Sequence, residues 1–474
     1  MKTFAINTLG CKVNQYESQQ IRELLERLGL NFVETADRAD LVVINTCCVT
    51  HTASAKSRQK IRKAKRQGPD AAIVISGCLP AVQTGELKNL GKNVHVISQR
   101  NRLAATLCQI VNCNGDSPKS QEFQAEQNIQ IKPVSCAKIK HKNKLDEPLQ
   151  LTQLTAFKGH TRAFLKVQDG CDGYCSYCII PKVRPYVHSK PAEAVIEEAR
   201  ALNKAGHKEI VVTGVFLGAY GQESVIRKKW TNGQNDKMAD LLDKMGGIPG
   251  LARIRLSSLE PGDVTTRLLD VFCKHRNIMP HLHLSLQSGS NEILKKMRRQ
   301  YSVEEFREKI DLIKSRLDRP AITTDVIVGF PGETDANFND TIALAKEVGF
   351  AKMHIFSFSR RVGTAAARMQ DTVNNEVIKR RSQILRDLEA ELSYKFRQQF
   401  VGKRDTVLVE NKNGRCCGRS ERYFRIYVEN AGKKPEKGEL VEVRLIENRE
   451  DGILGQIETG EVRGFSGINH PGMK

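Results

Sequence analysis

The sequence predicts an α/β protein of three domains: a parallel sheet at the N-terminus, a central set of repeated βα units, and a small β-barrel of OB type at the C-terminus. Three observations predict this order. Short apolar runs alternate with amphipathic stretches near the N-terminus, six strand candidates recur through the middle, and short alternating strands close the chain. A chain of 474 residues is too long for one ordinary core. We place the domains at residues 1–145, 155–390 and 398–465.

Composition and charge indicate a soluble protein with an anionic partner. The formal net charge is +21, from 75 Lys and Arg against 54 Asp and Glu. Basic side chains bind nucleic acid because they release counterions from phosphates, although a solvated basic surface is the alternative. No apolar run reaches the length of about 18 residues that a transmembrane helix needs. The sequence therefore predicts a cytoplasmic protein without membrane contact, in which cysteines serve metal or redox chemistry rather than disulfides.

Three apolar runs in the N-terminal domain predict buried parallel strands, and each is followed by a cysteine. The runs cover residues 3–6, 41–44 and 72–75, and helical periodicity covers 15–28. Cys11, Cys47 and Cys78 follow the three runs. Because the carboxyl ends of parallel strands share one edge of the sheet, these thiols are expected to meet there as a cluster site. Isolated buried cysteines are the alternative.

Two further stretches, one between the second and third runs and one after the third run, have distinctive compositions. Residues 55–67 contain seven basic residues and no acidic one, which predicts either phosphate contact or a solvated helix face. Residues 114–160 are polar and poor in aromatics, which predicts a linker at the end of the first domain.

The central domain carries its cysteines directly after its first strand candidate. Strands are predicted at residues 163–167, 209–213, 253–256, 282–286, 323–328 and 353–358, and helices at 191–205 and 303–317. Such repeats predict an open doubly wound sheet or a barrel, whose site lies at the carboxyl ends of the strands. Cys171, Cys175 and Cys178 stand at C-x3-C-x2-C spacing. Three thiolates leave one iron of a cubane open, whereas a zinc site, the alternative, usually has paired C-x2-C ligands.

The last domain is predicted from strands at residues 406–410, 423–428, 441–445 and 453–457, after a helical segment at 378–399. Five or so short strands suggest an OB-type barrel, a common frame for RNA binding. Candidate phosphate contacts are Arg415, Arg419, Arg422 and Arg425. Cys416 and Cys417 are expected in a turn.

The cysteine motifs carry a resemblance to a known family. Cys171-x3-Cys175-x2-Cys178, with Tyr177 before the last cysteine, resembles the radical S-adenosylmethionine (SAM) motif. The strings around Cys11, Cys47 and Cys78 resemble the N-terminal signatures of the methylthiotransferases, a branch of that superfamily. The resemblance implies a flavodoxin-like N-terminal sheet, a central partial barrel of six βα units and a C-terminal TRAM domain that binds tRNA.

The resemblance also implies cofactors and site residues. One 4Fe-4S cluster would be held by Cys171, Cys175 and Cys178 and would bind SAM at its open iron. An auxiliary 4Fe-4S cluster would be held by Cys11, Cys47 and Cys78, with Cys48 as the alternative to Cys47. Contacts to SAM are expected from residues at the strand ends, namely Gly214, Gly218, Ser285, Gln287 and Asp325. Pro185 follows Arg184 where relatives usually have glycine, so no substrate role is expected of Arg184.

Residues 8–18 and 56–62 are similar to the branch that acts on threonylcarbamoyl-adenosine next to the anticodon of tRNA. The implied reaction is radical methylthiolation of that base to its 2-methylthio derivative. The implied partners are tRNA, an electron donor such as flavodoxin or ferredoxin, and a sulfur source. The alternatives are methylthiolation of isopentenyl-adenosine or of a ribosomal-protein aspartate, and a non-catalytic RNA-binding protein with zinc or a structural cluster.

Overall fold

A computed structural model describes residues 1–82, 87, 90–112, 151–230, 236–411, 414–429 and 435–457. The N-terminal part is a five-stranded parallel sheet in the order β2-β1-β3-β4-β5. Its elements are β1 (Thr3–Thr8), α1 (Lys12–Arg27), β2 (Asn31–Phe32), β3 (Leu41–Thr46), α2 (His51–Gln67), β4 (Ala72–Gly77), β5 (Val94–Val96) and α3 (Leu103–Asn112). This is the flavodoxin strand order, whose ligand site lies at the switch point between β1 and β3. The predicted parallel sheet is confirmed.

The central part is an open row of strands, parallel except for the short edge strand β7, that forms a partial barrel. Its elements are β6 (Ala163–Asp169), α4 (Ile180–Val183), β7 (His188–Ser189), α5 (Ala192–Lys204), β8 (Glu209–Gly214), α6 (Lys237–Gly246), β9 (Arg253–Leu256), β10 (Ser258–Leu259), α7 (Thr266–Lys274), β11 (His281–Leu284), α8 (Asn291–Met297), α9 (Val303–Arg316), β12 (Ala321–Val328), α10 (Asp335–Val348), β13 (Lys352–Ser357) and α11 (Asn375–Gln398). Two sheets, β7-β6-β8-β9 and β10-β11-β12-β13, are joined by a parallel bridge between Ile254 and Ile278.

The two faces of this row differ in chemistry because side chains alternate along each strand. On β11, Leu282 and Leu284 are fully buried in the largest apolar core, on the side of the helices. The alternate residues His281 and His283 therefore point to the inner face. The same alternation places a set of polar side chains on that inner face: Glu209, Arg253, Arg255, His281, His283, Thr323, Asp325 and His354. The inner face is thus polar. The C-terminal barrel covers its Arg253, Arg255 and His281, while His283, Asp325 and His354 lie further along the strands.

The C-terminal part is a closed five-stranded barrel in the order β14-β15-β16-β18-β17. Its strands are β14 (Arg404–Val409), β15 (Cys417–Arg419), β16 (Arg425–Glu429), β17 (Leu440–Arg449) and β18 (Gly452–Ile457). Closure confirms the predicted small β-barrel. The turn predicted for Cys416 and Cys417 is wrong for Cys417, which begins β15 and pairs with Tyr427.

The C-terminal barrel closes the end of the central barrel where β9 and β11 begin. Tyr423 stacks on His281 with ring centroids 4.6 Å apart. The Arg255 guanidinium donates to the carbonyl oxygens of Ser420 at 3.1 Å and Glu421 at 2.8 Å. Tyr423 adopts a left-handed backbone conformation with φ of 70°, a conformation that costs a non-glycine residue energy unless its surroundings hold it. The contacts of its ring and of the neighbouring carbonyls hold it here.

Several arginines that were predicted to contact phosphate have partners within the chain. Arg419 donates to the Tyr423 carbonyl at 3.1 Å, Arg422 to that of Arg319 at 2.9 Å, and Arg425 to the carboxylate of Asp451 at 2.8 Å. Arg415 is exposed. These contacts assign Arg419 and Arg422 to the junction between domains.

The predicted linker is shorter than its composition suggests. Residues 113–150 lie outside the described residues, but Leu154 and Phe157 are fully buried in the main core. The backbone N–H of Leu154 donates to the Glu198 carboxylate at 2.9 Å. The prediction of a linker is therefore wrong for residues 151–160, where two apolar side chains anchor a polar stretch. No described helix is long and apolar enough to cross a membrane.

Candidate active site

Two asparagines connect the loops that carry the N-terminal cysteines. Cys11 is the N-cap of α1, and Cys47 and Cys78 directly follow β3 and β4. The Asn14 side chain donates to the carbonyl oxygens of Leu9 at 2.8 Å and Thr46 at 2.9 Å. The Asn45 side chain donates back to the Asn14 carbonyl at 2.9 Å. These motif asparagines thus satisfy buried backbone groups and fix the Cys11 loop against the Cys47 loop.

A glycine lets Cys47 approach the Cys11 loop. Gly10 has a φ of 97°, and a Cβ there would lie 2.7 Å from the Cys47 sulfur. Both the backbone conformation and the close contact exclude a side chain at this position. Cys48 is fully buried in the apolar cluster that also contains Cys78, and its thiol donates a hydrogen bond to Cys78. Cys47 therefore lies beside the Cys11 loop, and Cys48 lies beside Cys78.

The three N-terminal thiols have different acidities. Burial raises the pKa of Cys11, and it raises the pKa of Cys47 to about 11. The pKa of Cys78 is lowered to about 6, because Cys48 donates a hydrogen bond to it and because Arg184 and Arg100 are nearby cations. Arg100 also donates to the Cys78 sulfur at 3.3 Å. Cys78 therefore loses its proton more readily than Cys11 and Cys47, whose thiols a bound cation would help to ionise.

The second cysteine group lies in the loop after β6. The backbone N–H of Cys171 donates to the Arg184 carbonyl at 2.8 Å, and Arg299 donates to the Cys175 sulfur at 3.2 Å. Gly170 has a φ of 82°, and a Cβ there would overlap the carbonyl oxygen of Tyr186. Burial raises the pKa of Cys171 to about 12 and that of Cys178 to about 11. These thiols also require a bound cation to ionise at neutral pH.

The spacing of the thiols bears on the zinc alternative. Among the described residues, only His283, Asp325 and His354 form a group of three metal-ligating side chains with all ligand atoms within 4.8 Å. Tetrahedral zinc with Zn–S bonds of about 2.3 Å requires sulfurs roughly 3.8 Å apart. The thiols of neither cysteine group all lie within 4.8 Å of one another among these residues.

A buried ion network joins the two cysteine groups. The Arg184 guanidinium donates to Asp169 at 2.6 Å and to both carboxylate oxygens of Glu17 at 2.8 Å. Glu17 lies on α1, whose N-cap is Cys11, and the Arg184 backbone binds Cys171. Burial would raise the pKa of Glu17, but Arg184 and Lys166 outweigh it and lower that pKa to about 2. Arg184 therefore holds the two groups in one relative position.

The residues predicted to contact SAM lie at or near the same edge, in different settings. A Cβ on Gly214 would lie 3.0 Å from the Gln168 side chain, and one on Gly218 would overlap the Asp263 carboxylate. The carbonyl of Ser285 accepts from Tyr301 at 2.5 Å, and Tyr301 accepts from Arg299 at 3.1 Å. Since Arg299 also binds Cys175, this chain of contacts places Ser285 beside the second cysteine group.

Gln287 and Asp325 are joined through the backbone. The N–H of Gln287, whose φ is 67°, donates to the Asp325 carbonyl at 2.8 Å. The Asp325 carboxylate lies 3.4 Å from the Nε2 of His283. Burial would raise the pKa of Asp325, but His283, His354 and Lys12 outweigh it and lower that pKa. Sequence reasoning missed the two histidines, whose only signal is alternation with buried leucine and methionine residues along their strands.

Comparison with known proteins agrees with this arrangement. Residues 3–98 match the family described as "Uncharacterized protein family UPF0004", and residues 165–345 match the "Radical SAM superfamily". The chain is 34% identical to "Threonylcarbamoyladenosine tRNA methylthiotransferase MtaB" of Bacillus subtilis (strain 168), covering 94% of each chain. It is 36% identical to the protein of that name from Chlamydia pneumoniae, covering 96% of this chain and 98% of the relative.

Other similar proteins carry another substrate name or share only the fold. The chain is 33% identical to "tRNA-2-methylthio-N(6)-dimethylallyladenosine synthase" of Pelotomaculum thermopropionicum, covering 92% of this chain and 91% of the relative. The radical S-adenosylmethionine methyltransferase TsrM of Kitasatospora setae superposes with a TM-score of 0.52 at 13% identity, over 77% of this chain and 74% of TsrM. SAM and two 4Fe-4S clusters are the cofactors of the family. The chain belongs to the radical SAM tRNA methylthiotransferases.

Proposed function

We propose that the substrate is threonylcarbamoyl-adenosine adjacent to the anticodon of tRNA, methylthiolated at carbon 2 in the cytoplasm. The observation that carries this choice is the polar inner face of the central barrel. A threonylcarbamoyl group has a carboxylate, a hydroxyl and amide groups, whereas an isopentenyl group is a hydrocarbon. Buried polar groups need polar partners, so a polar lining favours the first and disfavours the second.

Lys12 supplies the positive charge that such a carboxylate needs. It follows Cys11 at the start of α1 and is half-buried. Its charge helps to lower the pKa of Asp325 on the inner face, so the two groups are near each other. No ion pair of Lys12 occurs among the described residues. A substrate carboxylate could therefore pair with Lys12, and a hydrogen bond is stronger when one partner is charged.

The chemistry divides between the two cysteine groups. The C–H bond at carbon 2 of adenine is unactivated, so cofactors carry the reaction and the protein supplies binding and orientation. When bound, the cluster on Cys171, Cys175 and Cys178 with SAM supplies the radical that removes this hydrogen, and the cluster on Cys11, Cys47 and Cys78 supplies the methylated sulfur. An electron donor such as flavodoxin or ferredoxin and a sulfur source complete this proposal.

The protein's own part in this chemistry is to hold the groups. Arg184 fixes the first cysteine group against the second, and Arg299 holds the Cys175 sulfur. We assign contacts with SAM to the strand-end residues Gly214, Gly218, Ser285 and Gln287.

The basic helix α2 is our candidate for tRNA contact. It contains no acidic residue, and five of its basic residues are exposed: Lys56, Lys60, Arg62, Lys63 and Arg66. Replacing Lys56, Lys60 and Lys63 with glutamate should weaken tRNA binding at least tenfold and flatten its salt dependence by about one unit of slope per lost phosphate contact. Filter binding at several salt concentrations measures both quantities.

The matched control reverses three exposed lysines on the outer helices α5, α6 and α7. Lys204, Lys244 and Lys274 change to glutamate, which gives the same change in net charge. This control should keep the salt slope of the parent protein. Equal weakening in both triple variants would show a general charge effect and remove α2 as the docking surface.

The substrate is tested by mass spectrometry of tRNA nucleosides. A strain that lacks the gene should lose 2-methylthio-threonylcarbamoyl-adenosine and accumulate the unmethylthiolated nucleoside, because the proposed reaction adds the methylthio group at carbon 2. Complementation with the parent gene should restore the product.

Complementation with the Cys175→Ala gene is the matched control and should restore nothing. If the threonylcarbamoyl product is unchanged in the deletion strain, the proposed substrate is wrong. Loss of 2-methylthio-isopentenyl-adenosine instead would favour the second candidate, which the similarity to the Pelotomaculum thermopropionicum protein supports.

A further inference from the structure

Three potential metal ligands stand side by side on the inner face of the central barrel. His283 is on β11, Asp325 on β12 and His354 on β13, three neighbouring strands of one sheet. Asp325 and His354 are direct register partners. Met353 and Ile355, the neighbours of His354, pack in or against the main core, so His354 points to the opposite, inner side. The strand register thus brings one carboxylate and two imidazoles together.

The contacts of His283 leave a gap that a cation would fill. Its Nδ1 lies 2.9 Å from the Thr323 hydroxyl, a normal hydrogen bond. Its Nε2 lies 3.4 Å from the Asp325 carboxylate, beyond the usual N–H···O range of about 2.7–3.2 Å. In one tautomer Nδ1–H donates to Thr323 and the Nε2 lone pair faces the carboxylate, which is the arrangement that a shared cation requires. In the other tautomer Nε2–H points to Asp325 instead.

The surroundings match those of known histidine metal sites. A ligating histidine usually donates its other ring N–H to a neighbouring oxygen, which fixes the tautomer. The Thr323 hydroxyl is that neighbouring oxygen for His283, and it also lies 3.2 Å from the Nε2 of His281. The ligand atoms of the three residues all lie within 4.8 Å of one another. Side-chain rotation brings such atoms to the separation of about 3 Å that metal–ligand bonds near 2.1 Å require.

We propose that His283, Asp325 and His354 bind one divalent first-row transition ion, separate from both iron–sulfur clusters. Two imidazoles and a carboxylate are the ligand set of catalytic zinc and of non-heme iron(II), and they leave coordination positions open. His354 is exposed while His283 is mostly buried, so the open positions face the cavity. Mg²⁺ and Ca²⁺ prefer all-oxygen ligands and fit this set poorly.

A chain of contacts connects the proposed ion site with the second cysteine group. Ser285 follows His283 by two residues, directly after the end of β11. Ser285 is linked through Tyr301 and Arg299 to the Cys175 sulfur. An open coordination position at this depth can take an oxygen of the substrate's threonylcarbamoyl group, and this last step rests on the proposed function. The binding of the ion itself does not depend on that function.

Mn²⁺ titration of the reconstituted holoenzyme tests the site, without tRNA. Free Mn²⁺ is read by electron paramagnetic resonance while the clusters are oxidised and silent. The parent protein should bind one Mn²⁺ per chain. His354→Gln and Asp325→Ala should weaken binding at least tenfold, and Thr323→Val should weaken it about 10-fold to 100-fold, the usual cost of losing a partner that orients a ligand.

Phe356→Ala is the matched control, since Phe356 follows His354 by two residues on the same strand and has no ligand atom. It should bind Mn²⁺ as the parent does. Parent-like affinity in both His354→Gln and Asp325→Ala, or no Mn²⁺ binding by the parent, overturns the proposal. So does an Asp325→Ala variant that loses SAM affinity while it keeps Mn²⁺, which would assign Asp325 to the SAM ribose. None of these outcomes depends on which tRNA nucleoside is the substrate.

Discussion

Replacing Arg184 with alanine is expected to lower the free energy of unfolding by about 3–5 kcal/mol, the usual cost of removing one partner of a buried ion network. The change removes the guanidinium that binds the buried carboxylates of Glu17 and Asp169 at 2.6–2.8 Å. It also releases the Cys11 loop from the loop of Cys171. We therefore expect methylthiolation to fall more steeply than SAM cleavage, because only the former needs both cysteine groups. Urea unfolding and the two product assays measure these effects.

Arg184→Lys is the conservative control, since it keeps the charge but loses the paired hydrogen bonds to Glu17. The pH dependence gives a second check. The folded pKa of Glu17 is lowered to about 2, so its stabilising contribution is complete above the unfolded pKa of about 4.3 and disappears as pH falls toward 2. The stability difference between the parent and Arg184→Ala should shrink over that window. A difference below about 1 kcal/mol at pH 7 would mean that the network is not structural.

Alanine at Cys175 and alanine at Cys11 are expected to fail at different steps. Cys175→Ala should abolish SAM cleavage and therefore all product. Cys11→Ala should keep SAM cleavage but form no methylthio product, because the sulfur source is lost. Each variant should lose about four irons per chain, the content of one cubane. Iron analysis, 5′-deoxyadenosine release and nucleoside mass spectrometry separate the two steps.

Cys273→Ala serves as the matched control for a cysteine that is exposed on α7 and far in sequence from both groups. It should retain iron, cleavage and product. Full product from either Cys175→Ala or Cys11→Ala would contradict the division of labour between the two groups. Restored product in a Cys11→Ala variant only when Cys48 is present would instead show that Cys48 replaces a missing ligand.

Local patterns made most of the strands predictable. The run at residues 253–256 coincides with β9, and the run at 41–44 is the first part of β3. Buried parallel strands are continuous apolar runs with short loops, so their position and the cysteines that follow them are visible in the sequence. The meeting of Cys11, Cys47 and Cys78 at one edge follows from strand order alone. The sequence alone therefore predicts the edge of the sheet at which these cysteines lie.

Interactions between distant residues were not predictable in the same way. Arg184 and Glu17 are 167 residues apart, and nothing local marks either as buried. Nothing local indicates that the Asp263 carboxylate occupies the space that a side chain at Gly218 would need. Leu154 and Phe157 were missed because two apolar residues in a polar stretch form no periodic pattern. Each miss concerns a contact partner that the chain supplies from elsewhere.

The contact of the C-terminal barrel, through Tyr423 and its neighbours, with the central barrel limits the use of truncated chains. The C-terminal barrel covers a ring of buried charges on the central barrel, and Arg253 and Arg255 are almost fully enclosed by it. Deleting the last domain would therefore expose Arg253, Arg255 and Glu209 to water and remove the carbonyl oxygens that the last domain supplies to both guanidinium groups. Assays of a truncated chain would then measure a central domain with damaged packing, not an intact central domain that lacks only the C-terminal domain. Point substitutions are therefore better suited than truncation to separate the roles of the central and C-terminal domains.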